Sequence, residues 1–380
     1  MKYYVIAGEP SGDLHGSKLM RAIAAEDADA RFRFCGGDSM SAVGGRENLL
    51  KHYKQMSFFG VGQVLLNLKT IIGQIGDCKR DIEQFEPDIV ILIDYPSFNM
   101  RIAKWAHERG IKVYYYIAPK VWAWKEWRVK GLRKYVDRLY TIFPFESEYF
   151  RSKGIEPVFC GNPLVDDIVE RRAEMPTKEE FAHKNMLDAS RPIVALLAGS
   201  RVSEIRSNLP NMIALAKRFP SHQFVVAAVP WIDKEVYMRY MSADGVAQNV
   251  HYVCSQTQQT LAVSEAAVVT SGTATLETAL MGIPEMVLYK VNKLYEILRP
   301  YVLKIPFISL VNINLGREAV REIVCAKMDM DDATAELQSI LVGGAKRENM
   351  LADFDELREL IGPDGASGRF GRDMVKSLKR

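Results

Sequence analysis

Cysteine is scarce in this chain. The 380 residues hold five, Cys35, Cys78, Cys160, Cys254 and Cys325, an odd number with no Cys-x-x-Cys pair. That excludes a disulfide framework and a cysteine zinc site, and it fits a reducing compartment. The six histidines include no His-x-x-x-His spacing, which removes the usual helical metal pair. No stretch approaches the roughly 18 consecutive apolar residues of a membrane-spanning helix. The opening Met1-Lys-Tyr-Tyr-Val-Ile-Ala-Gly8 goes straight into a strand, and its apolar part is too short for a signal peptide. Charge of one sign is missing too: a formal net charge of +3 gives no global bias toward nucleic acid, so only local basic clusters matter. The loop after the first strand has neither Gly-x-Gly-x-x-Gly nor a P-loop Lys-Ser/Thr, which weakens a dinucleotide or ATP reading.

What remains is a folded profile, 48% hydrophobic and 26% charged, in a chain long enough for two domains. The expectation is a cytoplasmic α/β protein that touches a membrane only at its surface. Tyr3 to Ala7 reads as a strand, and Gly8-Glu-Pro-Ser-Gly-Asp-Leu-His-Gly16 as a Gly-rich loop into a helix, the usual start of a doubly wound domain. Glu9, Ser11 and Asp13 then lie at the carboxyl end of the strand, where carboxylates repel phosphate but suit sugar hydroxyls; helix capping is the plain alternative. Pro87 to Asp94 is the cleanest strand, apolar along its length as a strand buried on both faces should be. It ends at Asp94, a good position for a general base or, more plainly, for a turn or N-cap aspartate, with Asn99 following it.

Two stretches are unusual. Met56 to Ile72 places Phe58 and Phe59 before two glycines and then repeats apolar residues at helical spacing, which suits either core packing or a lid that meets acyl chains. Ala118 to Lys134 interleaves Trp122, Trp124 and Trp127 with six basic residues, a mix suited to an anionic membrane surface or to buried aromatics under a solvated basic face. Nucleic acid ranks last, since no RNA-binding motif accompanies it.

The polar, charged and helix-prone residues 167–190 read as a linker. Beyond it, Ile193 to Ala198 is a strand ending in Gly199-Ser-Arg201, where an arginine beside Gly-Ser suits a diphosphate. A helix is expected after Pro210. Strands follow at 223–229, 250–254 and 264–269, and the last of these ends in Ser271-Gly-Thr-Ala-Thr-Leu-Glu277. There a small-residue turn opens a helix whose backbone N–H groups suit an anion, while Glu277 can accept from sugar hydroxyls. Asn312 and Asn314 are polar in an apolar setting, so each needs a partner, backbone or ligand. A further helix is expected near Arg317, and the last thirty residues read as helical.

Six ordered motifs together resemble the lipid A disaccharide synthase family: Gly8-Glu-Pro-Ser-Gly-Asp13, Ile93-Asp-Tyr-Pro-Ser-Phe-Asn99, Val121-Trp-Ala-Trp124, Gly199-Ser-Arg201, Ser271-Gly-Thr-Ala-Thr-Leu-Glu277 and Ser309-Leu-Val-Asn312. The resemblance implies a GT-B fold, two doubly wound Rossmann-like domains facing across a cleft. The acceptor- and membrane-facing domain would span 1–170, the linker and UDP-sugar domain 171–349, with helices 350–380 packing back on the first domain or exchanged in a homodimer. It implies an inverting glycosyltransferase with no metal and no cofactor. Its substrates would be UDP-2,3-diacylglucosamine and 2,3-diacylglucosamine 1-phosphate, at the cytoplasmic surface of the inner membrane and without nucleic acid. Asp94 would be the base and Glu9 its helper. Ser200, Arg201, Ser271, Gly272, Thr273, Glu277 and Asn312 would hold UDP, and Ser11, Asp13, Phe58, Phe59 and Asn99 would face the lipid acceptor. Ala198, Asn162 and Cys325 depart from the family's proline, histidine and glutamine, and the last bears on donor affinity. The alternatives are another UDP-N-acetylglucosamine enzyme of this fold, a lipid-acceptor transferase or an epimerase, and a membrane-surface binding module with a vestigial cleft.

Overall fold

The computed structural model describes residues 1–56, 68–123, 125–242, 247–293, 296 and 306–379. The chain forms two units, Met1–Asp166 with Ile361–Arg380, and Asp167–Leu360. In the first unit, β1 (Lys2–Ala7), β2 (Arg31–Gly36), β3 (Leu49–His52), β4 (Ile89–Ile93), β5 (Lys112–Tyr116), β6 (Arg138–Thr141) and β7 (Pro157–Phe159) form one parallel sheet. Its order is β3-β2-β1-β4-β5-β6-β7. Side chains alternate across a strand, so Tyr4 and Ile6 enter the core on one face while Tyr3, Val5 and Ala7 enter the core on the other. Both faces are buried, which is why β1 and β4 read as unbroken apolar runs.

The second unit repeats the plan with β8 (Ile193–Leu197), β9 (Gln223–Ala228), β10 (Val250–Cys254), β11 (Ala266–Val269), β12 (Glu285–Lys290) and β13 (Glu322–Cys325), all parallel in the order β10-β9-β8-β11-β12-β13. In each sheet the winding reverses once, between β1 and β4 and between β8 and β11. Open α/β sheets bind ligands outside the carboxyl ends of the strands at such a reversal.

The last helix, Ala366–Leu378, belongs to the first unit and closes one face of its sheet with Phe370, Met374 and Val375. Asp166 accepts from the backbone N–H groups of Gly365, Ala366 and Ser367 at 2.7, 3.0 and 2.9 Å, capping that helix. Asp373 takes a two-pronged bond from Arg138, both at 2.9 Å, and a third from the Tyr140 hydroxyl at 2.9 Å. Gly371 lies so close to Ala22 that a Cβ there would sit 2.6 Å from the alanine methyl, so the two helices touch backbone to backbone.

Several elements differ from expectation. The preceding helix, Arg347–Ile361, belongs almost wholly to the second unit. There Arg317 donates to Asp353 at 2.6 Å and Arg358 to the Leu280 carbonyl at 3.1 Å, so the chain crosses over at residue 361 rather than 350. The helix expected after Pro210 runs through it, Val202–Ala216. Burial of Ile205, Leu209, Met212 and Ile213 along one face outweighs the local cost of about 3 kcal/mol for an interior proline. No helix starts near Arg317: a helix ends at Leu315, Gly316 turns in the left-handed region and β13 follows. The helix-prone linker, by contrast, does form helices, Pro163–Arg172 and Lys178–Asn185.

Glu285, in β12, is fully buried, and burial pushes its carboxyl well above the ordinary glutamate range, against the Thr278 hydroxyl. The folded chain therefore holds a proton there that the unfolded chain releases, and stability from this site is lost as pH rises through the folded value. Glu285→Gln should melt higher than the parent at pH 8, by a margin that shrinks toward pH 5. Melting curves at the two pH values check this, and a margin constant with pH would refute it.

Candidate active site at the two sheet reversals

The first reversal brings together the ends of β1 and β4, where Ala7 pairs with Ile93. Immediately beyond, Asp94 and Tyr95 both adopt left-handed backbone, with φ of 41° and 45°. Such residues cost about 1–3 kcal/mol each unless their surroundings hold them, and they cluster where function needs an odd geometry. Three side chains do the holding. The Tyr115 hydroxyl and the Asn99 amide donate to the Asp94 carbonyl at 2.6 and 2.7 Å, and the Tyr95 hydroxyl donates to the Met56 carbonyl at 2.8 Å. Burial raises the Asp94 carboxyl above the ordinary aspartate range, against the nearby Lys120 charge and the Tyr95 N–H. A carboxylate so placed is a stronger base than a solvated one.

Glu9 is half-buried at the start of the helix Pro10–Glu26, makes no side-chain capping bond, and its charge reaches Tyr95. Ser11 is exposed on the first turn. Gly8 is required by packing, since a Cβ there would lie 2.4 Å from the Tyr95 ring. Two residues expected to face an acceptor are spent internally. Asp13 is 4% exposed and accepts from the N–H groups of Gly37, Ser39 and Met40 at 2.6, 3.0 and 3.0 Å, capping the helix Asp38–Gly44. Asn99 is fully buried and braces the turn at Asp94, donating also to the Ile93 carbonyl at 3.1 Å. Phe58, Phe59 and Trp124 lie outside the described residues. Of the other tryptophans, Trp122 is buried and donates to the sealed Glu146 at 3.0 Å, whereas Trp127 is 70% exposed. Burial pushes the Glu146 carboxyl up to about 7.

The second reversal joins the ends of β8 and β11. Gly199 takes φ 117°, and Glu204 folds back over it: one carboxylate oxygen accepts from the Ser200 N–H at 2.9 Å, the other from Arg201 at 2.7 Å. The exposed Trp231 donates to the Ser200 carbonyl at 3.1 Å, so the loop is held from both sides. Gly272, with φ 118°, opens the helix Thr273–Leu280, and nothing lies within 4 Å of where its Cβ would be. Ser271 is half-buried beside that space and Thr273 exposed above it. Thr275 turns inward, donating to the Gly272 carbonyl at 2.8 Å. Glu277 accepts from Gln258 at 2.7 Å and is raised by burial and by the charge of Asp167, against Gln258 and Arg171. This second end therefore presents N–H donors, hydroxyls, one arginine and a carboxyl around open space, a set suited to a nucleoside diphosphate.

Asn312 does not join that set. It is fully buried, its amide donates to the Val320 carbonyl and to Glu322 at 2.7 and 3.0 Å, and its oxygen accepts from Ala319 and Val320 at 2.8 and 2.9 Å. With its donors and acceptor filled, it shapes the turn into β13 and has nothing left for a ligand. Sequence reasoning missed the bracing residues Tyr115, Glu204 and Trp231. The left-handed backbone they support leaves no mark in composition or periodicity.

The profile of the lipid-A-disaccharide synthetase family matches residues 3–366. The lipid-A-disaccharide synthase of Myxococcus xanthus is 34% identical, over 98% of this chain and 97% of that protein. Among solved structures, a UDP-GlcNAc 2-epimerase from Neisseria meningitidis bound to UDP-GlcNAc superposes with a TM-score of 0.66 at 14% identity, covering 99% of this chain and all of that one. Sucrose-phosphate synthase from Thermosynechococcus elongatus superposes at 0.63 with 13% identity, covering 100% of this chain and 99% of that one. At such identities the structural likeness bears on fold alone.

Proposed function

Since the chain belongs to the lipid-A-disaccharide synthetase family, and is thereby a glycosyltransferase of GT-B fold that forms the lipid A disaccharide, we propose how its two units divide the reaction. The first unit carries the acceptor, 2,3-diacylglucosamine 1-phosphate, and the second carries the donor, UDP-2,3-diacylglucosamine. Asp94 takes the proton from the acceptor 6-hydroxyl as that oxygen bonds to the donor anomeric carbon. The bond from that carbon to the diphosphate breaks on the opposite side, so the configuration inverts and UDP leaves. Arg201, Ser200 and the N–H groups at Gly272 and Thr273 offset the charge that develops on the leaving diphosphate. Glu277 accepts from a ribose hydroxyl, and Glu9 assists on the acceptor side. The observation that carries this reading is the carboxylate of Asp94, raised in basicity and held on braced left-handed backbone at a sheet reversal.

Among the described residues no helix is long and apolar enough to cross a membrane. Peripheral attachment to the cytoplasmic surface of the inner membrane rests instead on Trp127 and the exposed Lys130, Arg133 and Lys134 beside it. Homodimerisation, by exchange of the last helix, would reuse the contacts that hold that helix within one chain.

The test is UDP release from UDP-2,3-diacylglucosamine with and without 2,3-diacylglucosamine 1-phosphate, with the lipid product weighed by mass spectrometry. Acceptor-dependent release and a disaccharide are expected. Turnover of an unacylated UDP-sugar in place of this pair would leave the fold standing and remove the lipid assignment. For the membrane arm, Trp127→Ala should float less well with vesicles rich in phosphatidylglycerol. Unchanged flotation would remove Trp127 from the surface contact.

A further inference from the structure

The reaction set out above gives Trp231 no role, although its ring is 61% exposed on the loop after β9. A lone exposed apolar side chain needs no explanation. This one, however, is fixed in place. Its indole N–H donates to the Ser200 carbonyl at 3.1 Å, in the loop assigned to the diphosphate. The loop that carries it is held as well. The buried Tyr237 hydroxyl accepts from the Val229 N–H at 3.2 Å, and the buried Ile232 donates its N–H to the Val229 carbonyl at 3.4 Å. The polar edge of the ring is thus spent internally, and most of the apolar remainder faces solvent. Val202, the first residue of the helix Val202–Ala216, is 52% exposed directly after Arg201. Two large apolar side chains therefore flank the diphosphate loop.

The topology sets both apart from the residue assigned to the ribose. β8, β9 and β10 step one way across the sheet, and β11 and β12 follow the reversal. Right-handed connections put the helices of the two runs on opposite faces. Leu261 and Ala274, from the helices Thr257–Ala262 and Thr273–Leu280, pack with Leu197, Ala227 and Val269 on one face, and there Glu277 meets Gln258. The loops that carry Ser200 and Trp231 lead instead into Val202–Ala216 and Lys234–Met241, on the other face. A donor with its ribose at Glu277 and its diphosphate at residues 199–201 therefore directs its sugar toward Trp231. In that sugar, C2 carries an acyl chain and is bonded to C1, which carries the diphosphate. The 2-acyl chain has to leave past the diphosphate loop.

We infer that Trp231, with Val202, is a platform on which the donor's 2-acyl chain lies, and that it sets how strongly turnover depends on the length of that chain. The inference rests on the donor reading above and deepens it. A flat ring locked at its N–H edge loses little freedom when a chain covers its face, so the apolar contact is kept almost whole. The uracil base is the other flat or apolar part of the donor, and it lies beyond the ribose, at the opposite end from the sugar.

The experiment measures kcat/KM in neutral detergent micelles for donors that differ only in the 2-acyl chain, from butanoyl to tetradecanoyl, with inhibition by UDP alongside. The proteins are the parent, Trp231→Phe and Trp231→Ala. The alanine variant should lose about tenfold with the longest chain, the effect of burying about two methylene groups, and less than about twofold with the shortest. Trp231→Phe keeps an apolar face without the N–H and should stay close to the parent at every length. Inhibition by UDP should be unchanged in both. An equal loss at every chain length, shared by the phenylalanine variant, would make the ring a brace for the loop and overturn the platform. Weaker inhibition by UDP in step with the lost turnover would give the ring to the nucleoside, with the same result. So would variants that match the parent throughout, including any that only bind vesicles less well. Arg201→Ala separates the two levels: if it leaves inhibition by UDP untouched, the placement of the donor fails, and the platform with it.

Discussion

Asp94→Asn should form disaccharide at least ~10²-fold more slowly than the parent while binding UDP unchanged. Asparagine is the instructive replacement because it tolerates left-handed backbone nearly as well as aspartate does. The grips of Tyr115 and Asn99 on the carbonyl of residue 94 are then kept, and only the basic oxygen is lost. Asp94→Ala puts a residue less suited to φ 41° at that turn, so part of its deficit would come from the backbone. The parent should also show an acid limb in kcat/KM above the ordinary aspartate range, with activity rising as pH rises. Burial favours the protonated form, and only the ionised form can accept the hydroxyl proton. Asp94→Asn should abolish that limb. A variant that turns over within a few-fold of the parent would remove Asp94 as the base and make Glu9 the next carboxylate to test.

Asp13→Ala should cost stability rather than chemistry, about 3–5 kcal/mol in denaturant unfolding, with the folded fraction still active. The carboxylate accepts three backbone N–H bonds at the start of the helix Asp38–Gly44, two of them fully buried. Removing it leaves those donors with neither protein nor water, and an unsatisfied buried donor costs more than the bond itself was worth. Gly36 and Gly37 also pack against this carboxylate, and a Cβ at Gly37 would come within 2.8 Å of it. Losing rate with stability intact is the outcome that would return Asp13 to the acceptor side.

Those two aspartates mark how much of the site the sequence carries. Both lie just beyond apolar strands, both follow glycine or apolar residues, and periodicity places them at the same end of the sheet. What separates the proposed base from the cap is where the neighbouring N–H groups point, and that depends on residues more than twenty positions away. Asn312 is the same case in the second unit, since the turn it fills is made by Ala319 and Val320. Strands buried on both faces, such as Ile89–Ile93, were legible because their apolar runs leave no other option. Helix ends were less so: burial carried one helix through Pro210, and Gly316 stopped another before Arg317. The motifs at 199–201 and 271–277 did land at a sheet reversal, because small residues at a strand end point to a turn whatever the tertiary context.

The last helix has a consequence for synthesis on the ribosome. One face of the first sheet is closed by Phe370, Met374 and Val375, which emerge only after the whole second unit. At ~5–20 residues per second, residues 167–360 take about 10–40 s to appear. Throughout that interval the nascent first unit lacks its closing helix, and the apolar side chains of β1 and β4 that await it are left to chaperones or to a neighbouring chain on the same message. A chain cut short at residue 360 would hold every donor-side residue named above and still fail to complete its first unit.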